Sequence, residues 1–123
     1  MRQASILLVE DEALIRMMLV EMAEELGHKV TAEAGNVAEA QSLAEIEQYD
    51  LAILDINLQG TDVQPVAEIV RSRGLPFFFV SGYGSGGLPD GFEGTPVLTK
   101  PCSIELLRRT IDVLLANGEP RNG

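Results

Sequence analysis

Leu51-Ala52-Ile53-Leu54-Asp55 is a run of four apolar residues closed by one carboxylate. With no polar alternation, it reads as a strand buried on both faces, as in a parallel sheet covered by helices. A carboxylate at the end of such a strand is poorly solvated by the sheet behind it and needs a cation or hydrogen-bond donors. Asp55 is therefore the candidate working residue, and its partners must come from elsewhere in the chain.

Upstream, Ser5-Ile6-Leu7-Leu8-Val9 is a second β-prone run, ended abruptly by Glu10-Asp11-Glu12. From Ala13 to Leu26 the residues Leu14, Ile15, Met18, Leu19, Met22 and Leu26 recur at helical spacing, and Gly27 supplies a left-handed stop. His28 to Glu33 is more polar, as expected of an edge strand. Asn36 then caps a helix of about 11 residues, with Glu39 placed for a reciprocal capping pair.

Downstream, Ile56 to Gly60 reads as a loop with turn residues, and a third helix is expected from Asp62 to Arg73, with Pro65 tolerated in its first turn and Gly74 ending it. Leu75-Pro76-Phe77-Phe78-Phe79-Val80 is the most apolar run and the fourth strand, ending at Ser81-Gly82. The stretch Gly82 to Thr95 holds six glycines and Pro89. Each interior glycine costs a helix about 1 kcal/mol, so this crossover should be short, loose or mostly loop. Pro96 to Thr99 is a brief fifth strand. After Lys100-Pro101, Ser103 caps a last helix with Ile104, Leu107, Ile111 and Leu114 on one face, Gly118 beyond its end, and a frayed polar tail from Glu119.

Strand and helix thus alternate five times. The expected fold is α/β: a flavodoxin-like, doubly wound, five-stranded parallel sheet of order 2-1-3-4-5, which puts the polar run at one edge. Residues 1–123 should form a single domain, since the length suits one core and no repeat or linker is visible.

With nineteen acidic against nine basic side chains, the formal charge is -10. No Lys or Arg cluster marks a nucleic-acid binder. Cys102 is the only cysteine, which excludes an intrachain disulfide and a cysteine-rich metal site and suits a reducing cytosol. The apolar runs fall far short of the roughly 20 residues that span a bilayer, and Met1 to Ala4 leads straight into a strand rather than a signal peptide. The expectation is a cytoplasmic protein with no nucleic-acid or membrane partner.

In an open α/β sheet, ligands bind outside the carboxyl ends of the strands. That rim should carry Glu10 and Asp11, Asp55, Ser81 and Lys100, from four different strands. Carboxylates so close repel, and a hard divalent ion that keeps several waters, Mg²⁺ or Mn²⁺ in its place, is the usual remedy. With Lys100 and Ser81 on the other flank of Asp55, the arrangement suits an incoming phosphoryl group, and Asp55 would be the nucleophile that forms an acyl phosphate.

Across nearly its whole length the chain resembles a response-regulator receiver domain. Val9-Glu10-Asp11-Glu12, Leu54-Asp55, the hydroxyl of Ser81 and Lys100-Pro101 occur in the family's order and spacing. The resemblance implies that Asp55 accepts phosphate from a histidine kinase or histidine phosphotransfer protein. It implies that Glu10, Asp11, Asp55 and the backbone carbonyl of Asn57 hold Mg²⁺, that Ser81 and Lys100 read the phosphate, and that the Lys100-Pro101 bond is cis. The protein would be a phosphorelay switch rather than a turnover enzyme.

Two departures qualify this. Most receivers carry an aromatic residue three places before the lysine; Val97 stands there instead. Phe79-Val80-Ser81-Gly82-Tyr83-Gly84 resembles the Phe-Ala-Thr-Gly-Tyr signature of a subfamily of stand-alone receivers with a weakened fourth helix. Tyr83 is a candidate substitute for the missing aromatic, with plain packing the preferred reading.

Other residues take structural roles: His28 a turn residue, Cys102 a buried small thiol, Phe77 to Phe79 core filling. Met17, Met18 and Met22 are assigned mostly to the core, with a sticky surface on helix one as the alternative. Two further functions stay open, a small aspartyl-phosphate phosphatase or phosphotransferase and a phosphorylation-independent binding module. The chain could also be part of a longer regulator, although Asn117 to Gly123 shows no start of an output domain.

Overall fold

The computed structural model describes residues 3–82 and 87–118. Alternation of short apolar runs and amphipathic segments produces β1 (Ser5–Val9), α1 (Ala13–Glu25), β2 (Lys29–Ala34), α2 (Val37–Ile46) and β3 (Leu51–Asp55). There follow β4 (Asn57–Leu58), β5 (Thr61–Asp62), α3 (Gln64–Ser72), β6 (Phe77–Ser81), β7 (Val97–Thr99) and α4 (Ile104–Gly118). The main sheet is parallel throughout, in the order β2-β1-β3-β6-β7. Because β4 and β5 form a separate small hairpin, this is the expected order 2-1-3-4-5.

Successive side chains of a strand point to opposite faces, and the core divides accordingly. Leu7, Val9, Ala52, Leu54 and Phe79 join Ala40, Ala44, Val66 and Val70 of α2 and α3 on one side. Ile6, Leu8, Leu51, Ile53, Phe78 and Val80 join Leu19, Ala23, Leu107 and Ile111 of α1 and α4 on the other. All five residues of β3 are buried, which is why that strand shows no alternation in sequence. Edge strand β2 pairs only with β1, and its Lys29, Thr31 and Glu33 face solvent.

Local signals act as their chemistry requires. Asn36 Oδ1 accepts from the Glu39 N–H at 2.8 Å, while Glu39 Oε1 accepts from the Gly35 N–H, one residue before the cap. Ser103 Oγ accepts from the Leu106 N–H to start α4. Gly74 follows α3 at φ 73°, a conformation that favours glycine. The Lys100-Pro101 peptide is cis.

Several expectations need correction. Ile56 to Gly60 is not simple loop: Gln59 (φ 53°) and Gly60 (φ 83°) form a tight two-residue turn between β4 and β5. That hairpin delays α3 to Gln64. Gly118 is the last residue of α4 rather than beyond it.

The apolar stripe of α1 is also narrower than its sequence suggests. Leu19 and Ala23 are buried and Ile15, Met22 and Leu26 partly so. Leu14, Met17 and Met18 are 67, 52 and 41 % exposed, so core packing accounts for Met22 but not for its two neighbours. The sheet covers one face of a helix, and α1 carries more apolar residues than one face holds.

His28 is more than a turn residue. It is buried, and its Nδ1 accepts the Ala4 N–H at 3.0 Å. Cys102 is half-buried against the α1–α4 side of the core. Between β6 and β7, the described residues 87–96 contain turns and no helix, in keeping with the glycine count. The expectations for Tyr83 and for the tail from Glu119 lie outside the described residues. No described helix is long and apolar enough to cross a membrane.

Candidate functional site

The parallel register brings the carboxyl ends of β1, β3, β6 and β7 to one rim of the sheet. There a cleft of about 480 Å³ is lined by Asp11, Glu12, Asp55, Asn57, Ser81 and Lys100, with Ile15, Gln59, Gly82 and Pro101 completing its walls. Glu10 lies just behind, fully buried. Every residue expected at the site is therefore in or against this cleft.

Lys100 is the hub. Its Nζ donates to Asp55 Oδ2 at 3.2 Å and to Glu10 Oε1 and Oε2 at 3.2 and 3.3 Å, with Glu12 Oε1 at 3.6 Å. Asp55, only 3 % exposed, also accepts the Asn57 N–H on Oδ1 at 3.3 Å. Glu10 Oε2 accepts the Glu12 N–H at 3.1 Å, and Asp11 Oδ2 accepts the Gln59 N–H at 3.1 Å. The hairpin turn is thus tied to the acidic rim, and Asn57 Oδ1 braces it by accepting the Gly60 N–H.

One oxygen each from Glu10, Asp11 and Asp55 lies within 4.8 Å of the others. A single, partly buried ammonium does not balance that charge. Burial first, then the Glu10 carboxylate, push the Asp55 carboxyl up to about 7, against the opposing pull of Lys100 and the Asn57 N–H. Burial works against the Lys100 ammonium, yet Asp55 and Glu10 outweigh it and raise its pKa. Excess negative charge at an oxygen-only donor set fits a hard divalent cation such as Mg²⁺.

Sequence reasoning missed two participants. Glu12 is one carboxylate among three and yet reaches Lys100, a contact announced only by its place in the acidic run. Gln59 contributes a backbone N–H, for which the side chain gives no signal.

Comparison with known proteins decides the family. The response regulator receiver domain family matches residues 6–112. The chain belongs to that family. The transcriptional regulatory protein PdtaR of Mycobacterium tuberculosis is 34 % identical over 115 residues, taking in 90 % of this receiver and 56 % of that protein. This receiver spans about half the length of the curated relatives it matches. Among solved structures, SdrG from Sphingomonas melonis Fr1 is 37 % identical with a TM-score of 0.82, covering 92 % of this receiver and 97 % of that chain. The receiver domain of the Erythrobacter litoralis response regulator PhyR is 28 % identical with a TM-score of 0.82, covering 98 and 96 %.

Proposed function

We propose that residues 1–123 form one receiver domain that works as a cytoplasmic phosphoacceptor switch, and that Asp55 takes a phosphoryl group from the phosphohistidine of a histidine kinase or histidine phosphotransfer protein. The observation that carries this reading is the Lys100 ammonium at 3.2 Å from both Asp55 Oδ2 and Glu10 Oε1, beside a three-carboxylate cluster at an open cleft.

In the transfer, an ionised Asp55 oxygen attacks phosphorus while the P–N bond of the donor breaks, its electron pair returning to the imidazole. An acyl phosphate results. Glu10, Asp11, Asp55 and the Asn57 backbone carbonyl would hold Mg²⁺, or Mn²⁺, which supplies positive charge to the phosphoryl oxygens. Lys100 keeps the Asp55 carboxylate oriented and then pairs with the phosphoryl group, and the Ser81 hydroxyl donates to it. Ser81 ends β6 and Lys100 follows β7, on either side of the glycine-rich crossover, so their movement alters the face from Ser81 to Lys100 and the partner that binds there.

The donor is expected to approach over α1, where exposed Leu14, Met17 and Met18 stand next to an apolar groove of about 290 Å³ lined by Ile15, Met22, Pro101 and Cys102. The test is Mg²⁺-dependent labelling by acetyl phosphate, read as a mass gain of one phosphoryl group and as shifted amide signals from Ser81 to Lys100. Loss of labelling in Asp55→Asn supports the reading; labelling that survives the substitution overturns it.

A further inference from the structure

Arg16 does not line the cleft, yet it holds the residue at the cleft's back wall. Its Nη1 donates to the Glu10 carbonyl oxygen at 2.8 Å, and its Nε pairs with Glu33 Oε1 on β2 at 3.3 Å. On the opposite side of the same residue, the Glu10 N–H donates to the Ala34 carbonyl at 3.0 Å. Glu10 therefore has both of its peptide groups tied, one to β2 and one to α1.

We propose that Arg16 is a positioning residue that keeps the Glu10 carboxylate aimed at the cleft, and that Gly35 is the notch that lets it do so. The inference rests on reading the cleft as a Mg²⁺-assisted phosphoacceptor site and adds a residue to it. In the present arrangement Lys100 and the Glu12 N–H also restrain the Glu10 side chain. A divalent cation takes up the same carboxylate and a phosphoryl group pairs with the same ammonium, so each competes with the contact between Glu10 and Lys100. The backbone clamp is the restraint that survives, since it involves no cleft atom. A planar guanidinium suits this role because two of its N–H groups point in fixed directions, one to a carbonyl and one to a carboxylate.

Gly35 supplies the independent observation. A Cβ built there would stand 2.9 Å from Arg16 Nη1, closer than a side-chain carbon and a nitrogen approach in folded proteins, and 3.9 Å from the Glu10 carbonyl oxygen. Its φ is not in the left-handed region, so what a side chain there meets is the Arg16 guanidinium and not backbone strain. The clashing atom is the tip of a flexible side chain, so alanine at this position displaces the guanidinium and leaves the backbone and the charge of Arg16 in place.

That separation makes the test. Mg²⁺ affinity is measured by calorimetric titration of the full chain with MgCl₂, alongside the thermal midpoint, for wild type, Arg16→Met, Gly35→Ala and Glu33→Gln. Supports beneath metal ligands are worth about tenfold in affinity, and that loss is expected in both Arg16→Met and Gly35→Ala. Glu33→Gln, which leaves the bond to the Glu10 carbonyl, should bind as wild type does. Lower midpoints with wild-type Mg²⁺ affinity would make Arg16 a staple of β1, α1 and β2 and overturn the proposal. So would weakened binding in Arg16→Met alone, which would assign the effect to charge rather than to aim. Should Arg16→Met fail to fold, Gly35→Ala decides by itself. Absence of Mg²⁺ binding in the wild type would instead remove the reading of the cleft, and the proposal with it.

Discussion

Lys100 Nζ and Asp55 Oδ2 stand 3.2 Å apart although β6 separates their strands, because Lys100 reaches back over the carboxyl end of the sheet. With Glu10 at the same distance, one ammonium serves two buried carboxylates. Lys100→Met removes the shared cation. Uptake of a proton by Asp55 limits the damage, so the loss of stability in Mg²⁺-free buffer at pH 7 should be about 2 kcal/mol rather than the larger cost of an uncompensated charge. Urea titration measures it. The same variant should bind a phosphoryl analogue without shifting the amide signals of β6 and β7.

The charge imbalance also fixes a pH dependence. Asp55 titrates near 7 in the fold against 3.8 for the free side chain, so its contribution to stability is fully present below about 3.8 and is lost as pH rises through 7. Asp55→Asn should therefore raise the thermal midpoint of the metal-free protein most at pH 8, with the gain shrinking as pH falls. Added Mg²⁺ should stabilise the wild type more than the variant. A midpoint difference independent of pH between 5 and 8 would contradict this.

These relationships are unequally legible in the sequence. Each site carboxylate follows an apolar run, so the strand pattern alone places Glu10, Asp11 and Asp55 on one rim. The β4–β5 hairpin escapes because its turn is Gln59-Gly60: the positive φ at Gln59 has no signature in a glutamine, unlike the Asn-Gly pair that usually marks such turns. Met17 and Met18 mislead because helical spacing identifies apolar positions but not which of several overlapping stripes the sheet covers. Arg16 is invisible for another reason. Its contact with Glu10 is to a backbone carbonyl, and main-chain acceptors leave no trace in residue identity.

His28 gives a second pH effect, of opposite sign. Burial lowers its pKa below 6.5, with the charge of Asp112 opposing. Its Nδ1 accepts the Ala4 N–H, so the fold needs that nitrogen unprotonated. Stability from this group is present above pH 6.5 and is lost as pH falls through the lowered value. His28→Gln keeps an acceptor without titrating, and the wild-type minus variant stability should decline between pH 7 and pH 5. A flat difference would show that His28 does not titrate on unfolding.

In the described part of the crossover between β6 and β7, residues 87–96, Phe92 packs into the core with Leu88 beside it. Phe92 is buried, with centroids 5.8 Å from Phe77 and 5.9 Å from Phe79, both edge to face. Arg71 of α3 covers it from outside, its Cζ 4.1 Å from the ring centre and its Nη1 donating to the Gly91 carbonyl at 2.9 Å. Where glycines disfavour a helix, this contact supplies the anchorage that helical hydrogen bonds would otherwise give. Phe92→Ala should cost about 3 kcal/mol, from lost burial and the cavity left behind. Arg71→Ala should cost about 1 kcal/mol, as an exposed cation over a ring face and one hydrogen bond allow. Hydrogen exchange distinguishes a local anchor from general destabilisation: in conditions where both variants stay folded, amides of residues 87–95 should exchange faster than in wild type while those of β1 and β3 keep their protection. Equal acceleration across the sheet would mean that Phe92 supports the whole core and that the crossover has no separate hold.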